Sequence, residues 1–530
     1  MLEVCDLPPA EGIHTAATGH SNRREQDVAP VRGVYGDQQE VIAFLSNPSS
    51  YSGVRRVERL ETHISLVFLA GGYAYKLKRA IRFPYLDFST VDQRRQYCHA
   101  ELALNRRTAP QLYREVRSIV RGADGRLAWG GAGEVIDWVV VMKRFAQDQR
   151  LDVIAKAGNL NLPLVYSLAA HIAEFHSRAD VSRSHGGAHG IAGVIEENDA
   201  CLRGAALPSS QIEELRKCSE NWLRRVAGLL DLRRADGKVR RCHGDLHLRN
   251  ICVFDGKPIL FDCIEFSDAF AAIDVLYDLS FLLMDLEHQG YGESANLLFN
   301  RYLDLSAEDK GLPAMPLFLS LRAAIRAHVA ASSGILREAQ SYLDDACQGL
   351  RPPPARLLAI GGLSGTGKST IAAALAPSLG ARPGARVLRS DVIRKRLFGL
   401  PPEVRLPQEA YSSDISDRVY GELRRLASIA LRAGYCVILD AVSLRPEERQ
   451  SFAEVAREAG SPFTGIWLEA PGATLASRVK ARKNDASDAT PEIVENQLQA
   501  DSGPIYWQRI NAVGTSSDTL TAVRKTLAGR

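Results

Sequence analysis

Two short stretches hold residues whose types and spacing suit phosphate chemistry. Residues 361–370 read GGLSGTGKST, and Gly362, Gly367, Lys368 and Ser369 fit the spacing G-x-x-x-x-G-K-[ST]. That spacing serves a polyphosphate. Glycines let backbone N–H groups turn inward, and the helix that starts there points its positive end at the same anion. Gly362, Ser364, Gly365, Thr366, Gly367, Lys368, Ser369 and Thr370 are the expected nucleotide contacts. Lys368 would reach the outer phosphates of ATP, and the Ser369 hydroxyl would bind Mg²⁺. An apolar run at 357–360 precedes the loop as a buried strand, and IAAALAPSLG follows it as a helix. Both are the context the motif needs. The second stretch, residues 240–266, reads RRCHGDLHLRNICVFDGKPILFDCIEF. A loop Asp, an Asn five residues on, and a hairpin ending at another Asp form a magnesium phosphotransfer arrangement.

Within that second stretch, HGDLHLRN resembles the catalytic loop of the aminoglycoside phosphotransferase and choline kinase group, whose fold is that of protein kinases. By that resemblance Asp245 would orient the acceptor hydroxyl and take its proton, and Asn250 and Asp262 would hold Mg²⁺. Lys76 would pair with the nucleotide phosphates and with Glu101. His243 would brace the loop, and Met142 would sit at the hinge beside the adenine. Lys78 lies on the same strand face as Lys76; Lys76 is preferred because Ala74-Tyr75-Lys76 matches the kinase A-x-K spacing. Glu101 reads equally as a solvated helix-face residue. Two departures stand out. Cys263 follows Asp262 where protein kinases carry glycine. No G-x-G-x-x-G covers the phosphates: the turn there is Leu60-Glu61-Thr62-His63, in which Thr62, or Ser65 beyond it, is the phosphate contact available. A kinase fold kept for binding alone is the competing reading of this domain.

The elements that must position these groups are legible in the hydrophobic pattern. A first helix is expected at 35–47, followed by strands at 54–60, 63–69 and 73–78, the last two joined by a Gly71-Gly72 turn. Period-two alternation sets Ala74, Lys76 and Lys78 on one strand face. A helix near 90–109 carries Glu101. Strands at 115–121 and 134–142 follow, the second nearly continuous in apolar residues and so central. Residues 150–235 and 273–347 read as helical. Between them, strands at 251–254 and 258–262 flank an Asp255-Gly256 turn.

RPPPAR, residues 351–356, reads as a stiff linker. Beyond it, strands at 386–389, 435–439 and 465–468 alternate with helices at 413–432 and 446–459, the pattern of a parallel sheet with ligand groups at the strand C-termini. Asp391 and Asp440 sit at such ends. Asp391 is placed to meet an acceptor hydroxyl, with helix N-capping as its alternative role. Asp440 suits an outer contact to Mg²⁺ or its water. Arg478 and Arg482 are four apart and share a helix face. With KNDASDATPEIVENQL after them, they resemble the mobile lid of gluconate kinase-like and adenylate kinase-like small kinases. The resemblance implies arginines that close over ATP and neutralise charge in the transition state; a basic solvated face is the alternative.

Taken together, the chain resembles a bacterial family that fuses an aminoglycoside phosphotransferase-like domain to a P-loop kinase-like AAA-type ATPase domain. The expected fold class is α/β multi-domain: an N-terminal protein-kinase-like α+β fold and a C-terminal P-loop α/β fold with a parallel sheet. The expected limits are a disordered tail at 1–34, the phosphotransferase-like domain at 35–349, the linker at 350–355 and the P-loop domain at 356–530.

Composition agrees with a soluble globular protein. The chain has 530 residues, 45% of them hydrophobic and 24% charged, enough for several cores. A net charge of +4 makes no electrostatic case for a nucleic-acid partner. Nine scattered cysteines without a C-x-x-C pair point to reduced thiols and a cytoplasmic location. No apolar run is long enough to span a membrane, and the first 30 residues are no secretory signal. The expectation is a bifunctional ATP- and Mg²⁺-dependent kinase acting on a small-molecule hydroxyl. Its rival is a nucleotide-sensing binding protein, and resistance to aminoglycosides rests on analogy alone. Neither the acceptor nor the oligomeric state is written in the sequence.

Overall fold

The computed structural model describes residues 33–34, 37–83, 86–481 and 486–528. The chain divides into two compact units. The first holds residues up to Ile154 together with Arg241–Ala272, and the second holds Ala155–Arg240 and Ile273–Arg530. This division follows packing. The helices after Ile273, which the sequence assigns to the first domain, therefore group with the P-loop sheet. The expected tail lies outside the described residues, apart from Gly33–Val34.

The first unit is built on a six-stranded antiparallel sheet in the order Val57–Glu61, Ser65–Ala70, Tyr73–Lys78, Glu134–Lys143, Tyr113–Arg121, Leu127–Trp129. Alternation gives the sheet two faces. Leu66, Phe68, Tyr75 and Leu77 turn to one side and pack with Val41 and Leu45 of the Gln39–Ser46 helix. On the opposite side, Val140 packs with Cys98 of the Val91–Asn105 helix and with Ile259. A capping box starts that helix: Gln93 N–H donates to Thr90 Oγ1 at 3.2 Å, and Thr90 N–H donates to Gln93 Oε1 at 3.2 Å. The first strand of this sheet begins three residues later than expected, at Val57, because residues 54–56 are irregular. The Ile251–Phe254/Lys257–Leu260 hairpin has its expected two-residue turn, with Asp255 at φ +49°.

The second unit contains a helical array and a five-stranded, all-parallel sheet. The strand order is Arg386–Arg389, Val437–Asp440, Leu357–Gly361, Phe463–Glu469, Gln508–Asn511. Leu357–Gly361 is buried throughout, as a central parallel strand should be. The outermost strand Arg386–Arg389 is sealed by the Gly292–Ser306 helix. Asn300 accepts from Val387 N–H at 2.8 Å and donates to the Ala385 carbonyl at 3.1 Å, and Asn296 donates to the Pro383 carbonyl at 3.0 Å. Arg386, fully buried, bonds Asp309 at 2.8 Å, Asp304 at 2.7 Å and Asn300 at 3.1 Å. Among the described residues no helix is long and apolar enough to cross a membrane, and no disulfide joins the described cysteines.

Candidate active sites

In the first unit the sheet, the Val91–Asn105 helix and the loop at 241–266 converge on one cleft. Thr62, Ser65, Lys76, Met142, Asn250 and Asp262 are among its lining residues. Lys76 stands on the strand Tyr73–Lys78 with its Nζ 2.9 Å from Glu101 Oε1 and 2.5 Å from Asp262 Oδ1. Burial works against the Lys76 ammonium, but Asp262 and Glu101 outweigh it and hold its pKa well above the ordinary lysine value. Glu101 is fully buried, so a solvated helix face does not describe it. Burial pushes its carboxyl up, yet Lys76 and Lys78 beside it bring the pKa down to about 2. Lys78, the alternative lysine, faces deeper and bonds Glu101 and Glu265. Met142 lies opposite Ala74 in the sheet register, at the end of the central strand.

The catalytic-loop candidates are tied into a compact knot. His243 Nδ1 accepts the Asp245 N–H at 3.3 Å, so Nε2 carries the proton and donates it to the Phe261 carbonyl at 2.8 Å. One imidazole thus joins the Asp245 loop to the residue before Asp262. Asn250 Nδ2 donates to the Asp245 carbonyl and carboxylate, each at 2.9 Å. That occupies the amide nitrogen and leaves the amide oxygen as the atom for an acceptor role. His247 Nε2 is 3.4 Å from the Asp245 carboxylate. Gly244 has φ +85°, and a Cβ there would come within 3.0 Å of Ile264 and 3.1 Å of the Phe270 carbonyl. Only glycine suits both conditions. Asp262 itself adopts φ +66°, an uncommon backbone state for a non-glycine residue.

Two supporting side chains, Tyr113 and Asn105, are not singled out by the sequence. Asp262 N–H donates to the buried Tyr113 hydroxyl at 3.2 Å. Cys263 N–H donates to Asn105 Oδ1 at 2.9 Å, and Asn105 Nδ2 donates to the Glu101 carbonyl at 2.9 Å. Asn105 therefore ties the helix that carries Glu101 to the segment that carries Asp262. The hydroxyl of Tyr113 could be foreseen only as a buried polar group in need of a partner.

In the second unit the phosphate loop follows Leu357–Gly361, and the Lys368–Leu375 helix starts at Lys368. Gly362 has φ +131°, and a Cβ there would sit 2.5 Å from the Leu468 carbonyl. Lys368 Nζ donates to the Gly362 and Leu363 carbonyls at 2.8 and 3.0 Å, folded over the loop that phosphate would fill. Thr366 Oγ1 donates to the Leu363 carbonyl at 2.8 Å. Ser364 N–H donates to Gln497 of the Pro491–Gln499 helix at 2.9 Å, a partner the sequence did not single out. Gly365 is buried; Gly367 caps the helix, Ser369 lies in its first turn, and Thr370 is exposed.

Asp440 ends its strand in register with Ile360 and Arg389, and its carboxylate pairs with Arg389 Nε at 3.2 Å. The neighbouring helix begins at Ser390, which puts Asp391 inside the first turn; the capping position belongs to Arg389. Burial pushes the Asp391 carboxyl up; Arg389 and Lys368 pull it down, and the Asp440 charge adds to the rise. Arg478, expected in a lid, is held at the far end of the sheet's last strand in this structure. Its guanidinium is held by the Ala512, Val513 and Gly514 carbonyls at 2.7, 3.0 and 3.1 Å, so it braces the end of the last strand. Arg482 lies outside the described residues.

Residues 125–315 match the phosphotransferase enzyme family, and residues 357–503 match the AAA domain family. The chain thus joins a phosphotransferase-family domain to an AAA-family domain, and its fold is mixed α/β as expected, with an antiparallel sheet in the first unit and a five-stranded parallel sheet behind the phosphate-loop sequence in the second. It belongs to the family of uncharacterized protein Rv2004c of Mycobacterium tuberculosis, with 32% identity over 450 residues, 82% of this chain and 88% of that protein. The Mycobacterium bovis protein Mb2027c matches to the same extent. Similar solved structures include a thermostable mutant of aminoglycoside phosphotransferase APH(4)-Ia, 14% identical, covering 58% of this chain and 98% of that one at a TM-score of 0.40. A gluconokinase from Sinorhizobium meliloti is 18% identical and covers 33% of this chain and 96% of its own at a TM-score of 0.24.

Proposed function

We propose that the chain is a two-site, ATP-dependent phosphotransferase of the cytoplasm, each site passing the γ-phosphoryl group to a hydroxyl of a small molecule such as a sugar or amino sugar. The observation that carries this reading is the cleft in which Lys76, Glu101, Asp262, Asn250 and the Asp245 loop meet. Lys76 would hold the nucleotide phosphates. Asp245 would take the acceptor proton as the acceptor oxygen bonds to phosphorus and the bond to ADP breaks. The donors fit Mg²⁺: Asp262 offers a carboxylate and Asn250 an amide oxygen, both hard oxygen ligands. When bound, the ion would neutralise charge on the phosphates. In the second unit Lys368 would leave its loop carbonyls for phosphate, Ser369 and Asp440 would serve the ion, and Asp391 would receive the acceptor hydroxyl.

A nucleotide-sensing protein is the second reading. It is favoured by the turn above the first cleft, where Thr62 and Ser65 bond each other's backbone and no glycine-rich lid forms. The test is ADP formation by the full chain with a library of hydroxyl compounds, compared with Asp245→Asn and Lys368→Ala. Two sites predict that each variant loses one acceptor activity and keeps the other. No acceptor-dependent ADP from the parent chain would leave the sensing reading in place.

A further inference from the structure

The lysine that the nucleotide reading leaves over, Lys78, has a position that storage of a surface charge does not explain. It is fully buried at 0% exposure, beneath the cleft. Glu101 divides its carboxylate between two cations, Oε1 to Lys76 at 2.9 Å and Oε2 to Lys78 at 2.6 Å. Lys78 Nζ is also bonded to Glu265 Oε1, and it stands 4.9 Å from the centre of the Phe88 ring. Glu265 is itself buried and lies three residues beyond Asp262. The charges therefore run Asp262, Lys76, Glu101, Lys78, Glu265, and both ends of the series belong to one segment of chain.

Resting on the phosphotransfer reading of this cleft, we propose that Lys78, held by Glu265, is a positioning residue that fixes Glu101 and through it Lys76 for ATP. In kinases the lysine–glutamate pair must be in place for turnover, and movement of the glutamate helix controls it. Here the Val91–Asn105 helix cannot swing out without stranding Lys78, a buried cation that would lose one of its two carboxylates. The Asn105 bonds to Cys263 and to the Glu101 carbonyl reinforce the same helix position. The site is accordingly assembled before nucleotide arrives, and no helix switch of the on–off kind operates in it.

The test uses the full chain carrying Lys368→Ala, so that nucleotide binding reports the first cleft. Lys78→Met combined with Glu265→Gln removes both charges of the inner pair, and Glu101 keeps Lys76 on Oε1 as its remaining cation. The thermal melt should stay near that of the background while Mg·ATP affinity falls on the order of 10- to 100-fold, the scale of a misplaced active-site group. Lys78→Arg with Glu265→Asp, which keeps an ion pair, should recover most of the affinity. A purely structural pair would move the melt and not the affinity. Glu265→Gln alone is the milder variant should the double one fail to fold, and it should weaken Mg·ATP in the same direction. Unchanged Mg·ATP affinity in a folded variant overturns the role of Lys78 alone. Absence of Mg·ATP binding by the Lys368→Ala background overturns the phosphotransfer reading and this proposal with it.

Discussion

Replacing Glu101 by Gln keeps the shape of the side chain and removes the charge that two buried lysines share. Glu101 is fully buried and its carboxyl is held at about 2 against an ordinary 4.5. That difference corresponds to about 3 kcal/mol of folding free energy at neutral pH. The folded pKa is depressed, so the contribution is complete above pH 4.5 and is lost as pH falls toward 2. At pH 3 less than half of it is left, by the same linkage. Urea unfolding of the full chain at pH 7, followed through Trp129 and Trp138 of the first unit, should place Glu101→Gln about 3 kcal/mol below the parent. Repeating the titration toward pH 3 should narrow that gap. A gap that does not change with pH would falsify the ion-pair assignment, because a packing defect has no reason to titrate in this window.

Two further outcomes follow from other parts of the molecule. Asp262→Asn lowers the charge at the proposed Mg²⁺ site with little change in volume; Mg²⁺-dependent ADP formation at the first site should fall by at least about a hundredfold, and a calorimetric Mg·ATP titration indistinguishable from the parent would refute the metal role. Arg386→Met takes the main cation from buried Asp304 and leaves Asp309 only Arg396 at 3.8 Å, which costs about 4 kcal/mol on the scale of broken buried ion pairs. Burial already raises the Asp304 carboxyl, and losing Arg386 raises it further, so this deficit should be small near pH 4 and grow toward pH 7 in calorimetric melts.

What could be read in advance followed from local rules. Period-two alternation placed Lys76 and Lys78 on one face, turn residues marked the hairpins, and the two phosphate motifs announced themselves by spacing. What could not be read depends on chain segments that meet only in the fold. Asn105 and Cys263 are 158 residues apart, and Tyr113 and Asp262 are 149 apart. Nothing near either residue signals the pairing. The partners of Lys76 and Lys78 are of the same kind, since nothing in the strand tells that Asp262 faces the one and Glu265 the other. The fifth parallel strand, Gln508–Asn511, buries a single side chain, Ile510, and so has no apolar run to give it away. Arg478 shows the converse. A basic helix face near a nucleotide motif invites a phosphate role, whereas three carbonyls at the end of that strand already claim its guanidinium.

The sealing of the outer strand by Asn296 and Asn300 bears on how such a gene can be inherited. Those two amides stand in for a missing neighbour strand, Asp304 and Asp309 hold the Arg386 guanidinium, and all four lie before the proline-rich segment at 351–356. A recombination event at that segment, the natural place to separate two modules, would release a P-loop half with an open sheet rim and an unpaired interior arginine. Exposed rims of that kind recruit other chains. The halves are therefore not interchangeable cassettes. Any lineage that shuffled them would have to reinvent the rim's cover, so the fusion should be passed on whole, with the helix that bears the asparagines travelling alongside the P-loop half.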